Sequence, residues 1–105
     1  MKKVIIESPF AGNTERNKEY ARKCMRDSLL RGEAPLCSHL LYTQMGILDD
    51  NIKHERDLGI EAGLIWGEEA ELTVVYEDYG ISMGMLLGIE RANNDGRPVE
   101  YRKIF

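Results

Sequence analysis

Glu71-Leu72-Thr73-Val74-Val75-Tyr76-Glu77, running on into Asp78-Tyr79-Gly80-Ile81-Ser82-Met83-Gly84-Met85, is the stretch from which the fold can be read. Its first seven residues are rich in β-branched side chains and bounded by charge, the composition of a strand. Gly80 then breaks the chain and Ser82 is a capping residue, so a helix is expected from near Ser82 through Ala92, with Asn93-Asn94-Asp95-Gly96 as its exit.

The same grammar repeats upstream. Val4-Ile5-Ile6 is a short apolar run that ends in Ser8-Pro9-Phe10-Ala11-Gly12, a buried strand breaking into a tight loop. Asn13 or Thr14 caps a helix whose Tyr20, Ala21, Cys24, Met25, Ser28 and Leu29 share one face, and Gly32 is its exit. Ala34-Pro35-Leu36-Cys37-Ser38 reads as a second strand, at the sheet edge because Pro35 has no N–H to give a ladder. His39 through Leu48 is an apolar loop packed over something. Asp49-Asp50-Asn51 is expected to cap another helix. In it Leu58, Ala62, Ile65 and Trp66 recur at a 3.6-residue period, and Gly59 and Gly63 allow close approach to a sheet. Val99 through Ile104 is a last strand.

Strands separated by helices, joined by right-handed crossovers, give an α/β three-layer sandwich with a small, mainly parallel sheet of four to five strands. Ligands of such sheets sit beyond the carboxyl ends of the strands, where strand order reverses. The chain of 105 residues is expected to be one domain, 1–105, too small for two cores. With 14 Lys+Arg against 18 Asp+Glu its net charge is −4, so no global field draws in a nucleic-acid polymer. Two cysteines, Cys24 and Cys37, suit reduced thiols in a cytosol. The apolar run near Met1 is too short for a signal or a membrane span, so a soluble cytoplasmic protein without membrane contact is expected.

Two loops at that rim can carry chemistry. Ser8, Pro9 and Phe10 end a strand, and Ala11-Gly12 lets backbone approach a ligand ahead of a helix N-terminus, which suits a phosphate or ribose. Read without a ligand, the same loop is a strand-to-helix turn that needs its glycine. In the second loop Asp78, paired with Glu77, can accept from sugar hydroxyls beyond Gly80, while the Ser82, Met83 and Gly84 amides face an anion. Its plainer reading makes Asp78 a turn cap, with Gly84 and Gly88 there only for helix packing. Arg16, Arg22, Arg56 and His39 are the candidates for ligand charge, each equally readable as a surface or structural residue. Phe10, Tyr42, Tyr79 and Met83 offer surfaces for stacking on a base. His39 and His54 are too few for a metal site, no organic cofactor is implied, and no base is recognisable near Ser8 or Ser38 for acyl transfer.

The strand ending Ser8-Pro9-Phe10, the charged helix, and Val75-Tyr76-Glu77-Asp78 leading into Gly80-Ile81-Ser82-Met83-Gly84-Met85-Leu86-Leu87-Gly88 resemble the nucleoside 2-deoxyribosyltransferase-like family. With Glu7 before them, and with Ser38-His39-Leu40-Leu41-Tyr42-Thr43-Gln44 and Val99-Glu100-Tyr101-Arg102, they are also similar to a group of small bacteriophage proteins. The resemblance implies a flavodoxin-like or Rossmann-like fold, a homo-oligomer with sites shared between chains, and a nucleoside held over the first loop. It also implies a glutamate nucleophile early in the helix after the third strand. Leu86 stands at that position, and an aliphatic side chain cannot attack an oxocarbenium-like centre.

Catalysis by that route is therefore expected to be absent, which leaves a phage-encoded nucleotide-binding protein that sequesters a signalling nucleotide. The ligands favoured are a cyclic dinucleotide or a cyclic ADP-ribose type of immune signal, in the host cytoplasm. The alternative is an N-glycoside hydrolase or deoxyribosyltransferase using Asp78 or Glu77. A third reading makes the fold a scaffold for binding a host protein.

Overall fold

A computed structural model describes residues 1–105. Val4, Ile5 and Ile6 lie in β1 (Lys3–Glu7), and the chain continues through α1 (Thr14–Leu30), β2 (Ala34–Leu36), a single 3-10 turn (Ser38–Leu40), α2 (Lys53–Gly67), β3 (Leu72–Tyr76), α3 (Met83–Asn94) and β4 (Val99–Arg102). The four strands are all parallel in the order β2-β1-β3-β4. Ile5 lies opposite Leu36 on one side and Thr73 on the other, and Glu7 lies opposite Val75. The pattern is a flavodoxin-like α/β sandwich whose strand order reverses at β1 and β3.

Alternation divides the sheet into two unlike faces. Val4, Ile6, Val74 and Tyr76 point to α1 and pack with Tyr20, Ala21 and Cys24 in the main core. Both cysteines are buried and unpaired, and burial pushes Cys24 up to about 12 and Cys37 up to about 11. At the edge of this face Arg102 reaches both carboxylate oxygens of Glu33 at 2.7 and 2.8 Å and touches the Tyr76 hydroxyl at 3.2 Å. That two-pronged pairing, helped by Ser28, drives the Glu33 carboxyl down to about 2.

The helix ends show where local sequence holds. Asn13 caps α1 by accepting from the Arg16 N–H at 3.1 Å, and Ser82 caps α3 by accepting from the Met85 N–H at 3.3 Å. At α2 the expected acidic cap does not form. Ile52 is the N-cap residue, and Asp49 instead accepts from Asn51 in a local turn.

The packing of α2 also differs from expectation. Leu58, Ile65 and Trp66 are 56, 52 and 57% exposed, so the periodic apolar stripe faces away from the sheet. Its glycines do mediate close approach, but to the segment after β2: a Cβ on Gly63 would meet Ser38 at 3.0 Å, and one on Gly59 would meet Leu48 at 3.2 Å. Ile60 and Leu64 remain on the inner side and, with the sheet, enclose a cavity. No helix is long and apolar enough to cross a membrane.

Candidate functional site

Ile5 and Glu7 lie on the sheet face away from the main core, with Leu36 beside Ile5. Between them, α2 and α3 lies a cavity of about 560 Å³ at the reversal of strand order. Its apolar lining comes from Ile5 and Leu36 of the sheet, Ile60 and Leu64 of α2 and the exposed Leu87 of α3. Polar side chains complete the lining: the exposed Arg56 and Asp57 and the half-buried His39 and Asp50. A more open recess of about 800 Å³ shares Phe10, Ala11, Asp50 and Arg56 with it and extends over Gly12 and Lys18.

Glu7 is the residue that sets the chemistry of the cavity. Its carboxyl lies flat on α3 at Gly88, where a Cβ would overlap it. It makes no hydrogen bond and no ion pair with the protein, unlike Glu33 in its clamp. The cavity leaves its surface only partly covered, yet protein surrounds the carboxyl closely enough for burial to push its pKa up to about 8 against the pull of Arg97. At neutral pH it is chiefly a neutral acid, with one donor and acceptor capacity to spare.

Helix α3 supplies the other pole. Ser82, Met83 and Gly84 line the cavity, and the N–H groups of Met83 and Gly84 have no acceptor. The positive end of a helix dipole therefore faces the same space. Arg56, which lines both recesses and forms no ion pair, is the nearest uncommitted cation, because Lys53 is held by Asp57 at 2.8 Å and Lys18 by Glu15 at 3.6 Å. Burial lowers the pKa of His39, so its ring is neutral at physiological pH, stacked 5.1 Å from Phe10.

The sequence-derived residues divide accordingly. Phe10, Ala11, His39, Ser82, Met83 and Gly84 meet at the cavity. Ser8 and Pro9 are buried and do not line it, and the Ser8 hydroxyl has no partner. Gly12, at φ +95, opens on the wider recess. Arg16 lies elsewhere, its guanidinium 4.1 Å above the Tyr79 ring. Tyr42 sits against α2 near Gly59, and Gly80 takes φ +83 in an open turn.

Asp78 lies outside the cavity with its carboxylate committed to structure. It accepts from the Tyr20 hydroxyl at 2.6 Å and from the N–H groups of Ile104 and Phe105, both at 3.0 Å. Burial would raise its pKa, but these hydrogen bonds outweigh that and lower it. Glu77 is half-buried beside it, its N–H donating to Arg102. Leu86 is 47% exposed and does not line the cavity, where its neighbours Leu87 and Gly88 do.

Two residues emerge that the motif reading passes over. Asn17, buried in α1, holds the first loop by donating to the carbonyls of Phe10 at 2.9 Å and Ala11 at 3.1 Å. Glu7 itself could be found by alternation: it shares the face of Ile5 at the end of a buried parallel strand, where an acid is out of place unless something meets it.

Residues 2–102 match the family described as Domain of unknown function (DUF7768). No curated protein matches the chain. Among solved structures, a 2-deoxyribosyltransferase from Bacillus psychrosaccharolyticus aligns with a TM-score of 0.65 and 17% identity, over 96% of this chain and 72% of that one. The CMP N-glycosidase of Clostridium botulinum aligns with a TM-score of 0.55 and 14% identity, over 97% of this chain and 69% of that one. The fold is thus that of nucleoside 2-deoxyribosyltransferase-like proteins.

Proposed function

The chain belongs to the DUF7768 family, and on that premise we propose that it is a nucleotide-binding protein that retains its ligand without cleaving it. The observation that carries this is Glu7, an acid without a protein partner that faces a cavity at the reversal of strand order. A site of that shape, with apolar side chains, free helix amides and Arg56 in its lining, suits a nucleoside against the first and a phosphate against the others. The fold neighbours, a 2-deoxyribosyltransferase and a CMP N-glycosidase, add weight to a nucleoside-type ligand.

Retention rather than turnover is supported by the state of the carboxylates. Position 86 carries leucine, Asp78 is tied to Tyr20 and the C-terminal segment, and a neutral Glu7 is not a nucleophile. Together with the likeness to bacteriophage proteins, this favours sequestration of a nucleotide immune signal, a cyclic dinucleotide or cyclic ADP-ribose type, in a host cytoplasm. Slow release is then the function itself. The test is to incubate the purified protein with cyclic di-AMP, cyclic di-GMP, cyclic ADP-ribose and AMP, release bound material by heat, and analyse it by chromatography. Intact ligand is the expected product; free base or an altered sugar would overturn the assignment, and so would the absence of any bound nucleotide.

The raised pKa of Glu7 favours one alternative, N-glycoside hydrolysis. Glu7 would protonate the departing base while an ionised carboxylate of the lining, Asp57 or Asp50, activates water. On that reading Glu7→Gln abolishes release of free base, and Asp57 or Asp50 takes the place first considered for Asp78 or Glu77.

The exposed stripe Leu58, Ile65 and Trp66 on α2 supports a homo-oligomer formed through that face, with α2 bringing its cavity wall close to a second copy. Sedimentation should show a dimer or larger species that Trp66→Glu dissociates.

A further inference from the structure

Glu33 is gripped by Arg102, Asp78 accepts from Tyr20 and two N–H groups, and Asp27 accepts from Tyr76 and Arg31. The Glu7 carboxyl accepts from no group of the protein, although it borders the cavity. What holds it in place is a gap. Gly88 is buried in the second turn of α3, and the three atoms nearest to where its Cβ would stand are the two oxygens and the carbon of the Glu7 carboxyl. Both residues line the cavity, so the carboxyl rests against helix backbone and borders the space a ligand would fill.

We propose that Glu7 and Gly88 form a proton-holding seat for the ligand: Gly88 positions the carboxyl, and Glu7, as an undissociated acid, donates its O–H to an acceptor of the bound nucleotide, so that binding is tied to one proton. The proposal rests on the nucleotide-binding reading above and adds to it the protonation state in which the site binds.

A carboxylate at this place has no protein donor to replace the water it gives up when a ligand covers it, and a nucleotide brings further negative charge into the same cavity. The neutral acid avoids both costs and has one O–H that the protein leaves unused. Burial already favours that form, pushing the pKa up to about 8 against the pull of Arg97. A ligand acceptor that takes the O–H favours it further. Every nucleobase and the ribose carry such acceptors, so the link to the proton holds whichever base enters.

The charged and titratable groups around Glu7 come from several elements. Arg97, ahead of β4, draws the carboxyl toward ionisation. After β2, the Cys37 thiol is pushed up to about 11, and burial holds His39 below its usual range. Asp50, with Arg56 and Asp57 of α2, shares the cavity lining, and no residue of α3 that lines it is titratable. Aspartate and arginine side chains do not ordinarily change charge between pH 7 and pH 9.5. Glu7 is therefore the group of the cavity that changes state in that interval.

The test is calorimetric titration of the full chain with AMP, cyclic di-AMP, cyclic di-GMP and cyclic ADP-ribose between pH 7 and pH 9.5, each read against Glu7→Gln so that titration of the ligand itself cancels. Affinity should be at least tenfold weaker at pH 9.5 than at pH 7, and binding at pH 8 should take up about half a proton per site, read from two buffers of unlike ionisation heat. Glu7→Gln keeps a donor and cannot titrate, so it should bind within threefold of the wild type at pH 7 with a level profile and no proton uptake. Glu7→Leu should bind at least tenfold more weakly at pH 7. Gly88→Ala pushes the carboxyl from its seat and should shift the fall in affinity to lower pH. It should also lower the melting temperature of the wild type but not that of Glu7→Ala, where the crowded oxygens are gone and alanine is the better helix residue.

A level affinity from pH 7 to pH 9.5, release of a proton on binding, or wild-type affinity in Glu7→Leu would overturn the proton-holding seat while leaving nucleotide binding in place. Gly88→Ala that is equally harmful with and without the Glu7 carboxyl would overturn the role given to Gly88. Failure of all four nucleotides to bind, with the protein folded by circular dichroism, would remove both readings.

Discussion

The two faces of the sheet are built to different ends. On the α1 face Val4, Ile6, Val74 and Tyr76 pack with Tyr20, Ala21 and Cys24, and the phenolic and charged groups at its border are paired. Tyr20 donates to Asp78, Tyr76 donates to Asp27 at 2.7 Å, and Arg102 grips Glu33. On the other face α2 presents glycines to the turn after β2, its apolar stripe is turned outward, and Glu7 has no partner. A satisfied face holds the protein together, and an unsatisfied one has something left to bind.

The largest expected effect lies on the satisfied side. Arg102→Ala strands the Glu33 carboxylate at a site where both partners are largely buried, and should cost about 3–5 kcal/mol in urea unfolding. Nucleotide affinity should be unchanged in the fraction that remains folded. If that variant lost stability and ligand in equal measure, the separation between the faces would be wrong.

Glu7 predicts a pH effect of opposite sign to that of a salt-bridged acid. Its folded pKa of about 8 lies above the 4.5 of a free glutamate side chain, so the folded state holds the proton more tightly than the unfolded one. Stability from this group is full below pH 4.5 and is lost as pH rises to about 8. Glu33, held down to about 2, acts the other way, its contribution fading as pH falls from 4.5 through 2. Subtracting the melting profile of Glu7→Gln from that of the wild type isolates the first effect, expected to reach roughly 1–3 kcal/mol. A difference profile that is flat between pH 4.5 and 8 would place Glu7 in water.

Asp78→Asn sharpens the comparison at the rim. It weakens the bonds to Tyr20, Ile104 and Phe105 and should cost about 1–2 kcal/mol, with AMP affinity moved less than twofold. A tenfold loss of affinity would return Asp78 to the ligand site.

These particular residues also show what a sequence makes visible. Val4-Ile5-Ile6 and the strand through Val74 and Val75 announce themselves because buried parallel strands are apolar on both faces, and Asn13 and Ser82 because caps act within three residues. The hydrogen-bond partners of Asp78 lie 58 and 26 residues away, so its structural duty has no local signature. Periodicity identifies an apolar face on α2 but not what covers it, and here glycine at 59 and 63 decides which side turns inward. Glu7 is hidden for another reason. An acid that ends a strand reads as a solvated boundary until the small residue at 88, eighty-one positions later, is seen to make room for it.

The most direct measurement is a crystal structure of the protein grown with AMP. The account places the nucleoside in the cavity, with a polar group within hydrogen-bonding distance of the Glu7 carboxyl, and the phosphate toward the Met83 and Gly84 amides. A nucleotide seated instead on Arg16, Asp78 and Gly80, with water in front of Glu7, would contradict it.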